Sequence, residues 1–253
     1  MPRYFLELSY KGTAYSGFQV QDNAPTIQFE VEKALHTLFR QGFELTGSSR
    51  TDAGVHAFQN FFHFDTELDI TAKSVYNLNA ILPPDIAVHG IYPVPATAHA
   101  RFDAVAREYK YFIYHKKNPF LPDRGWMYPF PLHLDLLQQA AGIIKEYRDF
   151  TSFSKRNTQV NNFNCTIEYS HWEKEGEVLV YRVRANRFLR GMVRGLVGTM
   201  LKVGRAQTPV AAFREIIEAK DCSRADFSTP AQGLFLNRVY YNDTLKQLLG
   251  PAR

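Results

Sequence analysis

The sequence predicts an α/β (α+β) fold of two successive β-α-β-β-α-β halves, each with a mixed, mainly antiparallel sheet, and a cleft between them. Three observations predict it. Segments with an apolar period of two alternate with segments of helical period. The order strand, helix, strand, strand, helix, strand occurs twice, which is the ferredoxin-like arrangement. The length, 253 residues, suits one large domain or two small ones. The two halves are not alike residue by residue, so the repeat rests on element order. The boundary falls near "VPATAHARFDA", giving halves over 1–100 and 101–253 with no flexible linker between them.

In the first half, "RYFLELSY" puts Tyr4, Leu6, Leu8 and Tyr10 on one face, the period of a strand. "PTIQFEVEKALHTLF" aligns Ile27, Val31, Leu35, Leu38 and Phe39 on a helical stripe, with Pro25-Thr26 as its start signal. "FELTG" and "QNFFHF" are short strands. "TAKSVYNLNAIL" is a helix stopped by Pro83-Pro84, and "DIAVHGIY" is a strand. In the second half, "AREYKYFIYH" is a strand and "LDLLQQAAGIIKEY" a helix with Leu134, Leu137, Ala141 and Ile144 aligned. "CTIEYSHWEKEGEVLVYRVRAN" is a hairpin turning at Glu175-Gly176. "FLRGMVRGLVGTML" is the clearest helix, with Leu189, Met192, Val193, Leu196, Val197, Met200 and Leu201 on one stripe. A short helix starts at Thr208-Pro209, with Thr as cap and Pro in the first turn. "GLFLNRVYY" is the closing strand.

A formal charge of +5 and a pI of about 9.1 admit an anionic partner without requiring one. Cys165 and Cys222 are far apart, and there is no CxxC, Cys/His cluster or HExxH, which argues against zinc and against a disulfide framework. The stretch "MPRYFLELSYKG" lacks the apolar run of a signal peptide or membrane span, which predicts a cytoplasmic protein away from the membrane. The triplets at Asn164 and Asn242 are then chance glycosylation matches.

Between Glu177 and Glu215 there is no acidic residue and there are eight basic ones. Arg182, Arg184, Arg187, Arg190 and Arg194 lie close together. On the predicted helix, Arg187, Arg190 and Arg194 share a face. A solvated face would usually mix signs, and the planar fork of arginine suits phosphate. With Tyr109, Tyr111 and Tyr114 nearby, the run predicts a nucleic-acid groove. Gly191, Gly195 and Gly198 inside the helix each cost about 1 kcal/mol relative to Ala. That predicts close backbone packing against the sheet or the other half.

"GSSRTDAGVHA", residues 47–57, sets Arg50, Asp52 and His56 among small residues after a predicted strand. An aspartate there serves a turn or cap in the ordinary case. Its charged neighbours and loop position point instead to function. No second carboxylate is near enough in sequence for a glycosidase-type pair. One carboxylate with arginines and a basic groove suits nucleophilic or electrostatic chemistry on a nucleoside.

This stretch resembles the signature of the TruA family of tRNA pseudouridine synthases. "SYKGTAYSGFQVQ", "LNAILPPDIAV", "HARFDAVAREYKYFIY", "DFTSF", "ANRFLRGMVRGLVGTML" and "AQGLFLNRV" follow in the family's order, so the resemblance spans nearly the whole chain. The sequence departs from the pattern at Ser49, where the family has Gly, and at Phe18, where it has Trp. The resemblance implies an isomerase without cofactor or metal, acting as a homodimer on the anticodon arm of tRNA at positions 38, 39 and 40. A uridine is detached from its ribose, turned, and rejoined through carbon. Asp52 matches the essential aspartate, which attacks the sugar or assists base release. Tyr109 matches the tyrosine that stacks on the target base and takes part in proton transfer. Arg194 matches the arginine that pairs with the aspartate, and Leu234 the apolar residue that packs the uracil. Arg50 matches the residue filling the space left by the flipped base. His56, Lys110, Arg187 and Arg190 are the remaining candidates for RNA contact. The alternative is a non-catalytic RRM-like RNA-binding protein, against which stands the lack of any "GFGFV"-type run.

Overall fold

In the computed structural model, which describes residues 1–156, 160 and 162–250, the chain divides into two compact units. The first joins Met1–Ala106 to Leu236–Arg253, and the second is Arg107–Phe235. The division therefore falls a few residues after the sequence boundary, and the chain from Leu236 onward counts with the first unit.

The first unit contains β1 (Arg3–Tyr10), α1 (Ile27–Phe39), β2 (Thr46–Gly47), β3 (His56–Asp65), α2 (Ala72–Ile81) and β4 (Ile86–Val94). β1 lies between β3 and β4, antiparallel to both. β2 is reduced to two residues paired with β3. The closing strand β9 (Leu234–Tyr241) lies on the other side of β3, and α6 (Asp243–Leu249) follows it. Phe61 and Phe62 point to opposite faces of β3, and both faces are covered: Phe5, Phe61, Phe62 and Phe64 are each at most 1% exposed. α1 begins where the Thr26 hydroxyl accepts the Phe29 N–H at 3.3 Å. Its stripe buries Ile27, Val31 and Leu35 and leaves Leu38 and Phe39 half-exposed. α2 ends because Leu82 precedes Pro83 and is held extended (ψ 149°).

The second unit contains most of β5 (Ala104–Tyr114), then β6 (Trp126–Met127), α3 (Leu134–Ile143), β7 (Ile167–Glu175), β8 (Val178–Ala185), α4 (Met192–Gly204) and α5 (Val210–Glu218). β8 lies between β5 and β7, antiparallel to both. The predicted hairpin turns at Gly176, whose φ of +62° favours glycine. Pro209, rather than Thr208, stands immediately before α5 as its cap residue. Among the described residues of both units there are six α-helices and a mostly antiparallel set of strands, the mixed α/β class the sequence predicts. No helix among them is long and apolar enough to cross a membrane.

The long basic helix differs from expectation at its start. Gly191 adopts φ +74° and caps a helix that begins at Met192. Arg187 and Arg190 therefore lie in the extended and turn segment before the helix, and only Arg194 is on it. Helical spacing misplaced them because the left-handed residue breaks the period. Leu189 is also outside the helix, yet the whole apolar set from Leu189 to Leu201 is buried. The glycine expectation holds in kind. A Cβ on Gly195 would meet the Phe227 ring at 2.8 Å, and one on Gly198 would meet the Asp226 carbonyl oxygen at 2.3 Å. The close neighbour is the loop at 226–227 of the same unit.

One polar cluster braces the far end of β3. The His63 Nδ1 accepts the Ala100 N–H at 3.2 Å, and its ring meets that of His99 edge-on at 4.5 Å. Burial, with His99 and Arg3 nearby, pushes His63 down to about 4. The fold thus holds a neutral imidazole.

Two predictions follow from this packing. Helix propensity alone would make Gly198→Ala stabilising by about 1 kcal/mol. A methyl against a backbone carbonyl cannot be relieved by a rotamer change, and overpacking costs about 1–3 kcal/mol. The expected result is a lower denaturation midpoint; a higher one would mean that the helix does not need its glycine. For His63, the unfolded chain binds its proton first as pH falls. Stability is full above the ordinary value of 6.5 and is lost as pH drops toward about 4. The loss is at most about 3 kcal/mol. Urea unfolding at pH 7 and pH 4.5 should show a smaller pH effect in His63→Gln than in the parent, and identical effects would contradict the assignment.

Candidate active site

The loop at residues 48–55 is held in place by the rest of the first unit. The N-terminal segment after β1 wraps it: the Phe18 N–H donates to the Thr51 carbonyl at 3.1 Å, and the Gly54 N–H to the Tyr15 carbonyl at 3.3 Å. Gly12 approaches so closely that a Cβ would lie 2.0 Å from the Val55 carbonyl oxygen. Gly17, at φ +114°, passes beside Thr51. From below, the Tyr10 hydroxyl bonds the Thr51 hydroxyl at 2.8 Å. Asn60, fully buried, donates to the Ser49 carbonyl at 2.9 Å and to the Tyr10 hydroxyl at 3.2 Å. Its side-chain oxygen accepts its neighbour's Phe61 N–H.

Within this frame the predicted residues take different roles. His56 is 1% exposed and its Nδ1 accepts the Gly12 N–H at 3.0 Å. It faces the interior and ties the two loops together, rather than standing on the surface where RNA could touch it. Arg50 is exposed. Asp52 is half-exposed. The turn around it is closed by the backbone, Val55 N–H to Asp52 carbonyl at 3.1 Å. Within its own unit, the Asp52 carboxylate takes no hydrogen bond or ion pair among the described residues. It caps nothing and closes no side-chain turn, so the ordinary structural use of an aspartate in a loop does not apply here.

The two departures from the family pattern both lie in the interior of the first unit. Phe18 is 1% exposed and stacks on Phe62 at 4.6 Å. A Cβ on Gly47 would strike its ring at 2.3 Å. It is a core residue beneath the loop and needs no indole donor. Ser49 is buried, with its hydroxyl 3.2 Å from that of Ser48.

In the second unit, Tyr109 lies on β5 opposite Val183, half-buried, edge-on to Phe188 at 5.0 Å. Tyr111, two residues on and on the same face, is fully buried and donates to the Pro230 carbonyl at 2.7 Å. The Arg194 Nε donates to the Thr229 carbonyl at 2.7 Å, and the Thr229 hydroxyl returns a bond to the Arg194 carbonyl at 2.8 Å. This clamp commits one arginine nitrogen, Nε, to the fold. Leu234, at the start of β9, is 7% exposed. Tyr109, Arg194 and Leu234 thus belong to one unit, while Asp52, Arg50 and His56 belong to the other.

Lys110 does not share the face of Tyr109. Strand alternation turns it to the opposite side, where its ammonium lies 3.5 Å from Glu175. The acid-free run is also partly neutralised. Arg182 pairs with Glu173 and Glu175, Arg184 with Glu168, Lys202 with Asp226, and Arg214 with Glu146. β7 supplies the acids that β8 lacks. Arg205 lies over the Phe130 ring at 4.0 Å. Arg187 and exposed Arg190 remain as candidates for phosphate contact, with the Arg187 guanidinium reaching Asn162 at 3.4 Å. Among the described residues no group of three His, Cys, Asp or Glu side chains is placed to hold a metal ion.

Comparison with known proteins sets these features in a class of RNA-modifying isomerases. A family model described as tRNA pseudouridine synthase matches residues 8–103 and 147–242. The chain is 44% identical over 247 residues to tRNA pseudouridine synthase A of Parabacteroides distasonis, covering 97% of this chain and 98% of the relative. It is 42% identical over 250 residues to that of Porphyromonas gingivalis, covering 97% and 99%. It is 45% identical over 243 residues to that of Bacteroides fragilis, covering 94% and 96%. The chain belongs to the tRNA pseudouridine synthase family, a family of isomerases.

Asn60 carried no signal in the sequence reading, because its role depends on the pairing of β1 with β3. Removing it strands the buried Ser49 carbonyl, a loss of about 1–3 kcal/mol. Asn60→Ala should lower the urea midpoint and slow turnover of uridine, since the loop bearing Asp52 loses its floor. Unchanged stability and turnover would show that the loop is held without it.

Proposed function

We propose that the protein converts uridine to pseudouridine in tRNA, at positions 38, 39 and 40 of the anticodon stem-loop, as a cytoplasmic homodimer. The observation that carries this reading is the Asp52 loop. Thr51, His56 and Asn60 are spent on holding the loop, and the Asp52 carboxylate takes no bond within its unit among the described residues. Membership of the family supports the reaction type.

In this reading the target base leaves its stack, at a cost of a few kcal/mol. Stacking on Tyr109 returns about 1–3 kcal/mol. Leu234 packs the uracil, and Arg50 occupies the space the base vacates. The carboxylate of Asp52 acts on the ribose or assists release of the base. The bond from sugar to ring nitrogen breaks, the uracil turns, and a bond from the same sugar carbon to a ring carbon forms. The hydrogen on that ring carbon departs and the nitrogen gains one. Nothing is oxidised and no group is imported, so the chemistry calls for no cofactor. Arg194 supplies positive charge to the reaction. Arg187 and Arg190 contact phosphates.

The test is tritium release from tRNA labelled on the uracil ring. Asp52→Asn should retain the fold and tRNA affinity within about twofold and lose at least about a thousandfold in rate, because an amide is neutral and a poor nucleophile. Rates near those of the parent would remove Asp52 from the chemistry.

A further inference from the structure

The segment between β4 and β5 has no part in the chemistry proposed above, yet it is fixed tightly and presents an aromatic ring to solvent. Phe102 is 74% exposed. The ring lies against His99 at 4.2 Å between centres, and the Arg101 guanidinium lies over it, 5.6 Å from its centre. Arg101 is itself exposed.

The backbone beneath is over-determined. The His99 Nδ1 accepts the N–H groups of both Arg101 and Phe102, at 3.1 and 3.3 Å. The Asp103 carboxylate turns inward and accepts the His99 N–H at 2.8 Å. Burial, with Arg3 nearby, holds His99 below its ordinary range, which keeps Nδ1 an acceptor. The Ala98 carbonyl accepts from Arg3 and the Ala100 carbonyl from Tyr241. A solvent-facing phenylalanine gains nothing for the fold from so much bracing. A ligand gains a great deal, because the ring is ordered before it binds.

We propose that Arg101 and Phe102 form a second RNA contact, remote from the Asp52 loop, on which an unstacked base of the tRNA lies while the guanidinium meets its phosphate. This rests on the tRNA reading above. An aromatic ring beside an arginine is the chemistry of base stacking with charge, and it needs no sequence readout. The flanking exposed residues Pro95, Ala96 and Thr97 are small or uncharged and admit a backbone close to the ring. The placement sets the distance. His99 packs on His63, seven residues along β3 from His56, so the platform is about 25 Å from the catalytic loop within the same unit. A contact so far from the target base touches a part of the tRNA outside the loop being modified.

The experiment compares full-length tRNA transcript with an isolated anticodon stem-loop, measuring affinity for the parent, Phe102→Ala, Phe102→Trp and Arg101→Ala, with thermal unfolding and light scattering on each. Phe102→Ala should weaken full-length tRNA about tenfold, the order expected for one lost stack. The stem-loop should change less than twofold, and Phe102→Trp should restore the longer RNA. Arg101→Ala should weaken full-length tRNA and reduce its salt slope by about one contact. If the parent binds and isomerises tRNA but the Phe102 variants bind both RNAs as the parent does, or both RNAs weaken equally, the remote contact is wrong and the function stands. A change of oligomeric state in Phe102→Ala with unchanged RNA affinity would assign the ring to a protein interface and overturn the proposal. If the parent binds neither RNA, the functional reading falls and takes this contact with it.

Discussion

The approach of Gly12 to Val55 sets how the first unit can present Asp52. Two loops distant in sequence lie in backbone contact, so close that a methyl group on Gly12 has no space. That contact exists only because neither loop has to bury an unpaired polar group. Phe18 and Gly54 donate to carbonyls across the junction, and His56 accepts from Gly12. Thr51, Tyr10 and Asn60 complete the floor. Buried polar groups of this kind are costly when half-satisfied and rigidifying when fully satisfied. The small residues of the loop allow the approach, and the Asp52 carboxylate is left half-exposed and outside the bracing.

The second unit manages charge differently on its two sheet faces. The face with Tyr109 and Tyr111 is aromatic and packed, and its polar contacts go to the backbone near Thr229 and Pro230. The opposite face is a lattice of opposite charges on β5, β8 and β7, from Lys110 and Arg182 to Glu173 and Glu175. Exposed pairs of this kind contribute little stability each. They do remove Lys110, Arg182 and Arg184 from the set of cations open to phosphate. Of the arginines on β8 and in the segment after it, Arg187 and Arg190, before α4, have no acid partner among the described residues, whereas Arg182 and Arg184 on the strand do.

Much of this was legible from residue patterns. The stripe from Met192 to Leu201, the Thr26 cap, the Gly176 turn and the Pro83 stop are local signals, and each appears where its chemistry requires. The start of α4 was not legible, because Gly191 in a left-handed conformation ends a period that continues on paper through Arg187. The pairing of Arg182 with β7 was hidden for another reason: it depends on register across a hairpin, which places acids from one strand beside bases of the next. The inward turn of His56 and the role of Asn60 depend on contacts between β1, its following loop and β3. Motif resemblance singled out Asp52 in the loop but took the buried His56 for an RNA contact, because its inward turn depends on Gly12.

The most direct measurement is chemical mapping of an unmodified tRNA transcript after incubation with the protein, by carbodiimide modification and primer extension. The account predicts new stops at positions 38, 39 or 40 where the transcript carries uridine, appearing without added metal or cofactor. A transcript bound by the protein yet free of pseudouridine at every position would contradict it, and would leave an RNA-binding protein in place of an isomerase.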